Sequence, residues 1–223
     1  MVRRIAALFS GGKDSTYSLH WAILQGMDVK CLITLKPLTR DSWMFHRPGI
    51  EVTKIQAKVL NIPQIFVETK GIKEEELKDL KEALRIAINR YRIEGIVAGA
   101  LLSDYQRLRI LSVANELGLQ VYNPLWRKNQ EKYMRELVKS GFKVLITSIS
   151  AFGMPKFVVG KVLDEYLVEL IIDRARKYKF NPAFEGGEAE TLVVDAPLFR
   201  EEIMVYGDVV EYGDYEAEFI IRD

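Results

Sequence analysis

The sequence predicts an α/β protein: a five-stranded parallel sheet over residues 1–125, then a second, smaller α+β domain over 126–223. Three observations carry this. The apolar run Ile5–Phe9 stops at Ser10-Gly11-Gly12, and an amphipathic pattern starts at once behind it, as in a buried parallel strand, a tight turn and a helix N-terminus. Short apolar runs then alternate with helical periodicity as far as Tyr122, which is how βαβ units read. Past Trp126 come two helical stretches, and the closing runs are β-rich.

The turn after the first strand has the means to hold an anion. Gly11 and Gly12 let backbone approach a ligand and adopt conformations barred to other residues. N–H groups at the start of the next helix favour negative charge at the same spot. Ser10 and Ser15 add hydroxyls, and Lys13 adds a cation suited to phosphate. Asp14 is the odd member, because a carboxylate repels phosphate; a Mg²⁺ ion held between the two resolves this. The spacing is neither that of a Walker A loop nor Gly-x-Gly-x-x-Gly. An ordinary strand-to-helix turn with a capping serine is the alternative, and so many phosphate-handling groups rarely meet by accident.

Thr16–Gln25 reads as a helix stopped by Gly26, and Val29–Leu35 as the second strand. Their crossover is right-handed, so a ligand belongs at the carboxyl ends of the strands. Pro37–Pro48 is a long connection carrying Trp43, Met44, Phe45 and His46, either a lid or docking surface or the plug of a small satellite core. His20 and His46 are the only histidines and make no zinc spacing with Cys31. Ile50–Leu60 is expected to be helical, Gln64–Val67 a strand, and Lys73–Tyr91 a long helix with Glu74, Glu75 and Glu76 at its start, as the dipole prefers. Gly95–Ala100 is the expected fourth strand. Behind it, Ser103 and Gln106 have capping-box spacing, which leaves Asp104, Tyr105, Arg107 and Arg109 bunched at a strand's carboxyl end. Gly99 permits close approach of a nucleotide, and Arg107 is placed to steady a phosphate. Gln120–Tyr122 is the fifth strand, and Asn123-Pro124-Leu125-Trp126 marks the exit from the first domain.

In the second domain the periodicity predicts helices over Asn129–Ser140 and Lys161–Lys177, with strands over Phe142–Ile149, Thr191–Val194, Ile203–Val210 and Tyr215–Ile220. Before the closing strands, Gly186-Gly187 forms a turn flanked by Glu185, Glu188 and Glu190. Glu188 and Glu190 face the same way if the strand begins there. The cluster is either an acidic hairpin tip or a site for Mg²⁺, a cationic substrate or ammonium.

Composition closes off several classes. Hydrophobic residues at 48% argue against disorder. No apolar run approaches the ~20 residues of a membrane-spanning helix, and Arg3 and Arg4 lead straight into a strand without a signal peptide. A soluble cytoplasmic protein is expected. One cysteine allows no internal disulfide framework, and a net charge of +1 argues against a nucleic-acid partner.

Ser10-Gly11-Gly12-Lys13-Asp14-Ser15 resembles the pyrophosphatase loop (PP-loop) of the N-type ATP pyrophosphatases. That superfamily has a Rossmann-like fold of the HUP, or adenine nucleotide alpha hydrolase-like, kind. It splits ATP between the α and β phosphates. The segments Gly99-Ala100-Leu101-Leu102-Ser103-Asp104-Tyr105-Gln106-Arg107, Leu125-Trp126 followed by Gln130, and Asn181–Phe199 are similar to motifs of the diphthine–ammonia ligases within it. The resemblance runs from Ser10 to Phe199. It implies ATP as substrate with Mg²⁺ at Asp14, and nucleotide contacts from Ser10–Ser15, backbone around Leu35, Gly99 and Ser103–Gln106. It also implies an acceptor region of His46, Glu185, Gly186, Gly187, Glu188, Glu190 and Thr191, and chemistry carried by Lys13, Asp14, Arg107 and Glu188. The partner it implies is elongation factor 2 bearing diphthine, with ammonium as the nitrogen donor; a homodimer is the assembly considered. The lone Cys31 does not fit the paired-cysteine chemistry of sulfur-transferring relatives. Two other readings stay open: a tRNA-modifying adenylating enzyme of the same superfamily, and a non-catalytic ATP-binding protein of the universal-stress type.

Overall fold

The computed structural model describes residues 2–37, 49–70 and 75–222, which fall into two compact units. The first takes the chain up to Ser10 together with Asp14–Trp126. The second takes Gly11–Lys13 and everything described from Arg127 onward. The stretch 38–48, with His46, and the expected helix start at Lys73 and Glu74 lie outside the described residues.

The first unit holds strands β1 (Arg4–Leu8), β2 (Asp28–Pro37), β3 (Gln64–Thr69), β4 (Gly95–Val97) and β5 (Gln120–Tyr122). All pair parallel in the order β3-β2-β1-β4-β5, so the expected five-stranded parallel sheet is the sheet observed. Its helices are α1 (Lys13–Leu24), α2 (Thr53–Leu60), α3 (Glu75–Tyr91) and α4 (Asp104–Glu116). A single 3-10 turn, Ile50–Val52, replaces the first turn expected of the second helix. Ile5, Ala6 and Ala7 on β1, and Cys31, Leu32 and Ile33 on β2, are buried without alternation, as strands covered on both faces must be. Leu80, Ala83, Leu84 and Ala87 stack on one face of α3 and join Ile33, Leu35, Ile96 and Ala98 in the core. Burial pushes the Cys31 thiol up to about 12 and pulls His20, whose ring bonds the Thr16 carbonyl, down to about 4. Both are neutral at physiological pH.

Three boundaries differ from expectation for local reasons. Helix α1 starts inside the Ser-Gly-Gly-Lys-Asp-Ser segment, at Lys13, because the turn is complete by Gly12. Strand β2 runs past Leu35 because β3 pairs with it through Pro37 and Thr69. Strand β4 stops at Val97, because β5 has only three residues to offer it; the last bond is Ala98 N–H to Tyr122 O, 2.9 Å. The strand order reverses between β1 and β4, so the turn after β1 and the segment after β4 flank the switch point of the sheet.

The second unit contains α5 (Gln130–Lys139), β6 (Lys143–Ser150), α6 (Glu165–Tyr178), β7 (Ala189–Asp195), β8 (Gly207–Glu211) and β9 (Glu216–Ile221). The strands make an antiparallel sheet in the order β7-β6-β9-β8, the α+β arrangement expected. Helix α6 begins four residues late. Asp164 caps it by accepting the Leu167 N–H at 2.7 Å, while Val162 just before it is bridged to Leu145. The strand expected from Ile203 begins only at Gly207, because Ile203 N–H is taken by Val194 O in a turn. No helix among the described residues is long and apolar enough to cross a membrane.

Candidate functional site

Strand β1 delivers the turn to the switch point. Phe9 N–H bonds Ile33 O at 2.8 Å, and its carbonyl accepts the Thr34 hydroxyl at 2.7 Å. Ser10 N–H then donates to Ser15 Oγ, and the two hydroxyls lie 3.2 Å apart. Ser15 thereby closes the turn from inside the helix. Gly11 has φ of 77°, a conformation that costs other residues about 1–2 kcal/mol. Asp14 lies in the first turn of α1, where the helix dipole also favours a carboxylate. Among the described residues no cluster of three His, Cys, Asp or Glu could hold a metal ion. Asp14 therefore fits Mg²⁺ only in the manner of a single carboxylate acting with substrate phosphates.

Gly99 is closely approached by protein backbone. A Cβ there would lie 2.7 Å from Asp14 C and 2.9 Å from Ser15 N. The backbone that approaches Gly99 is that of α1, so the glycine lets the phosphate turn seat against the end of β4. The side chain of Leu35 is buried in the core, leaving only its backbone for a ligand.

Ser103 caps α4, accepting Gln106 N–H at 3.3 Å. Asp104 is tied to Arg107 at 3.2 Å, and the Arg107 guanidinium lies 4.3 Å from the centre of the Trp126 ring. Arg109 stacks on Tyr105 at 3.6 Å. Thus the first six residues of α4 carry an Asp104–Arg107 ion pair and an Arg109–Tyr105 stack, and Arg107 stacks on Trp126 beyond the helix. Arg107 Nε and Asn123 Oδ1 are buried without a hydrogen-bond partner among the described atoms. Buried polar atoms in that condition are uncommon and mark places where a ligand or water is accommodated. Asn123 entered the sequence reading only in the exit from the first domain, and Trp126 only there and in the Leu125-Trp126 motif, with no role assigned. A polar residue and an aromatic at the end of β5 were the available signal.

In the second unit, Gly11–Lys13 lie along β7, an edge strand of the antiparallel sheet. Val193 N–H donates to Gly11 O at 2.9 Å, and Lys13 N–H donates to Thr191 Oγ1 at 3.2 Å. The Lys13 ammonium sits 5.4 Å from the centre of the Phe184 ring. Lys13 is 3% exposed and Thr191 4%. The turn therefore continues the β7 edge, and one of the helix N-terminal amides, counted in the sequence reading as phosphate donors, is bonded to Thr191. Phe184 falls inside the segment that carries the resemblance but was not among the candidate site residues.

Glu188 and Glu190 were expected to face the same way if the strand began there, in either an acidic hairpin tip or a site for a cation. Strand β7 begins only at Ala189, so Glu188 belongs to the turn before it. The two Glu188 carboxylate oxygens accept Asn181 N–H at 2.8 Å and Gly186 N–H at 2.7 Å, bracketing Phe184, which has φ of 66°. Glu190 pairs with Ser148 across the ladder, and Glu185 lies within the bracketed turn. Of the acidic segment, it is Phe184 and Thr191 that meet Lys13. Glu188→Gln should therefore cost about 1–3 kcal/mol of stability, the usual loss for hydrogen bonds to a charged group. An unchanged urea midpoint would show that these bonds do not hold the turn.

A parallel sheet whose switch point carries a glycine-rich turn opening a helix defines the class: an α/β protein with a phosphate-type turn. The diphthamide synthase N-terminal domain family matches residues 3–121, and the diphthamide synthase C-terminal domain family matches residues 129–219. The human protein named diphthine–ammonia ligase is 35% identical over 91% of this chain and 82% of its own. The Schizosaccharomyces pombe protein of that name is 31% identical over 97% of this chain and 38% of its own length. Among solved structures, a Methanocaldococcus jannaschii chain described as a predicted subunit of tRNA methyltransferase is 19% identical, with a TM-score of 0.47, over 91% of this chain and 100% of that one. The chain belongs to the diphthamide synthase family.

Proposed function

We propose that this chain is an ATP-dependent diphthine–ammonia ligase, which activates the diphthine carboxylate of elongation factor 2 as an acyl adenylate and converts it to the amide with ammonium. One observation carries this reading at the level of residues: Lys13 of the phosphate turn is bonded through its main chain to Thr191 of the second motif. A carboxylate is a poor acyl donor because oxide would have to leave. Attack of its oxygen on the α-phosphorus forms a carboxyl–phosphorus bond and releases pyrophosphate. Ammonium gives one proton to solvent or a nearby base; the ammonia left attacks the carbonyl carbon, AMP departs with the bonding pair, and a second proton leaves the nitrogen by the same route.

Such chemistry depends on positioning and on neutralising charge. Lys13 supplies a buried cation at the start of α1. Ser10, Gly11, Gly12 and Ser15 shape the turn, and Gly99 seats it. Arg107, held between Asp104 and Trp126, supplies a second cation, with Ser103, Tyr105 and Gln106 on the same helix end. Mg²⁺ held by Asp14 and the phosphates would offset charge on the departing pyrophosphate. Glu188 acts here by holding the turn that carries Phe184, in place of the direct role on ammonium. A protein-synthesis factor as acceptor supports work in the cytoplasm.

The test is incubation of the chain with ATP, ammonium and elongation factor 2 carrying diphthine. AMP and pyrophosphate are expected in equal amounts, with the acceptor mass shifting by the difference between OH and NH₂. ADP and free phosphate as the main products would remove the adenylation step.

A further inference from the structure

Strand β8 is the outer strand of the second sheet among the described residues, and it lacks the devices that normally keep an edge from pairing. Gly207-Asp208-Val209-Val210-Glu211 contains no proline, and its register with β9 runs without a bulge. Both carboxylates are neutralised within the chain. Arg222 grips Asp208 at 2.7 and 2.5 Å, and Lys156 holds Glu211 at 2.6 Å. Val209 is 46% exposed, and the strand is flanked by Tyr206 at 67% and Tyr212 at 53%.

The direction of the main-chain groups narrows what can pair there. Tyr212 donates its N–H to Glu216 O at 3.0 Å, and Tyr206 O accepts the Arg222 N–H at 2.9 Å. The even-numbered residues thus turn their N–H and C=O towards β9. By antiparallel alternation, Gly207, Val209 and Glu211 turn theirs to the open side. Tyr206 and Tyr212 stand three residues to either side of Val209.

We infer that β8 pairs antiparallel with β8 of a second copy of this chain, about a two-fold axis at Val209. In that register Gly207 meets Glu211, Val209 meets Val209 and Glu211 meets Gly207, each pair exchanging two N–H···O bonds from groups that already point outward. A shift by one residue sets an outward group against an inward one and also opposes Asp208 to Glu211. Centred on Val209, no carboxylate faces a carboxylate. Tyr206 opposes Tyr212 at the two ends, in non-hydrogen-bonded pairs where side chains come closest. The contact is isologous and closes at two copies. It is independent of the ligase reading, since no residue of β8 belongs to the candidate site.

Light scattering of the whole chain across its soluble concentration range should give twice the 25.6 kDa of one copy. Val209→Pro should return the mass to one copy with an unchanged circular dichroism spectrum. It removes an outward N–H, and so the two central intermolecular bonds, while leaving the ladder to β9 intact. Val209→Cys should form an intermolecular disulfide under mild oxidation, because Cα atoms in such a pair lie about 5.5 Å apart, within disulfide range; Cys31 is buried and does not compete. A wild-type chain that stays at the mass of one copy overturns the inference. So does a dimer whose Val209→Cys form fails to cross-link, whatever Val209→Pro does to folding.

Discussion

Lys13→Ala should lower AMP formation by about 10²–10³-fold, the usual cost of removing one group that neutralises charge in a transition state. The side chain is nearly fully buried at the opening of α1 and lies against the Phe184 ring. Burying a cation is costly, so a position that keeps one has a use for it. The main-chain bond from Lys13 N–H to Thr191 does not involve the ammonium and survives the substitution. The fold should therefore persist, and a melting temperature close to that of the wild type is the accompanying expectation. Lys13→Met keeps most of the stem against Phe184 and should be as inactive, separating charge from packing. Turnover within a few-fold of normal in either variant would take Lys13 out of the chemistry.

Gly99→Ala should be nearly as damaging by another route. The added methyl would sit 2.7–2.9 Å from backbone atoms of Asp14 and Ser15, which belong to a helix and have no side-chain freedom with which to yield. Overpacking of this kind costs about 1–3 kcal/mol. The strain falls on the residues that set the position of Asp14, so AMP formation should drop together with stability. Gly213→Ala is the control, because nothing lies within 4 Å of a Cβ there. Equal melting temperatures and equal turnover for the two variants would show that α1 shifts away from β4 without loss.

The parts of the protein legible in the sequence were those whose causes are local. Ser10–Ser15 holds its turn through bonds between residues five apart, and the unalternating burial of β1 and β2 follows from apolar runs anyone can count. Ser103 capping α4 was readable from spacing alone. Gly99 was half legible: the need for glycine could be inferred, but its neighbour could not, because the approach is made by Asp14 and Ser15 from a different βα unit. For Glu188 the sequence left a boundary open. A period of two puts Glu188 beside Glu190 only if the strand has already begun, and it begins one residue later. Asp164 was a cap in plain view, passed over because Val162 and Leu163 continue an apolar pattern that belongs to a bridge and a loop. Trp126 and Phe184 declare themselves only through the cations they stack on.

The bond from Lys13 to Thr191 joins residues separated by 178 positions, and Gly11 to Val193 spans nearly the same interval. Contacts of such separation form late, after the intervening chain has been closed into a loop. A ribosome making this protein releases the Ser-Gly-Gly-Lys-Asp-Ser segment almost at once, yet the strand that grips it is not synthesised until translation reaches Val193. A nascent chain can build its parallel sheet on the way and still hold an unfinished phosphate turn. Timing is thus written into the topology: the turn is complete only once the far strand exists, and a chain stalled partway through translation carries every residue of the turn without the means to set it.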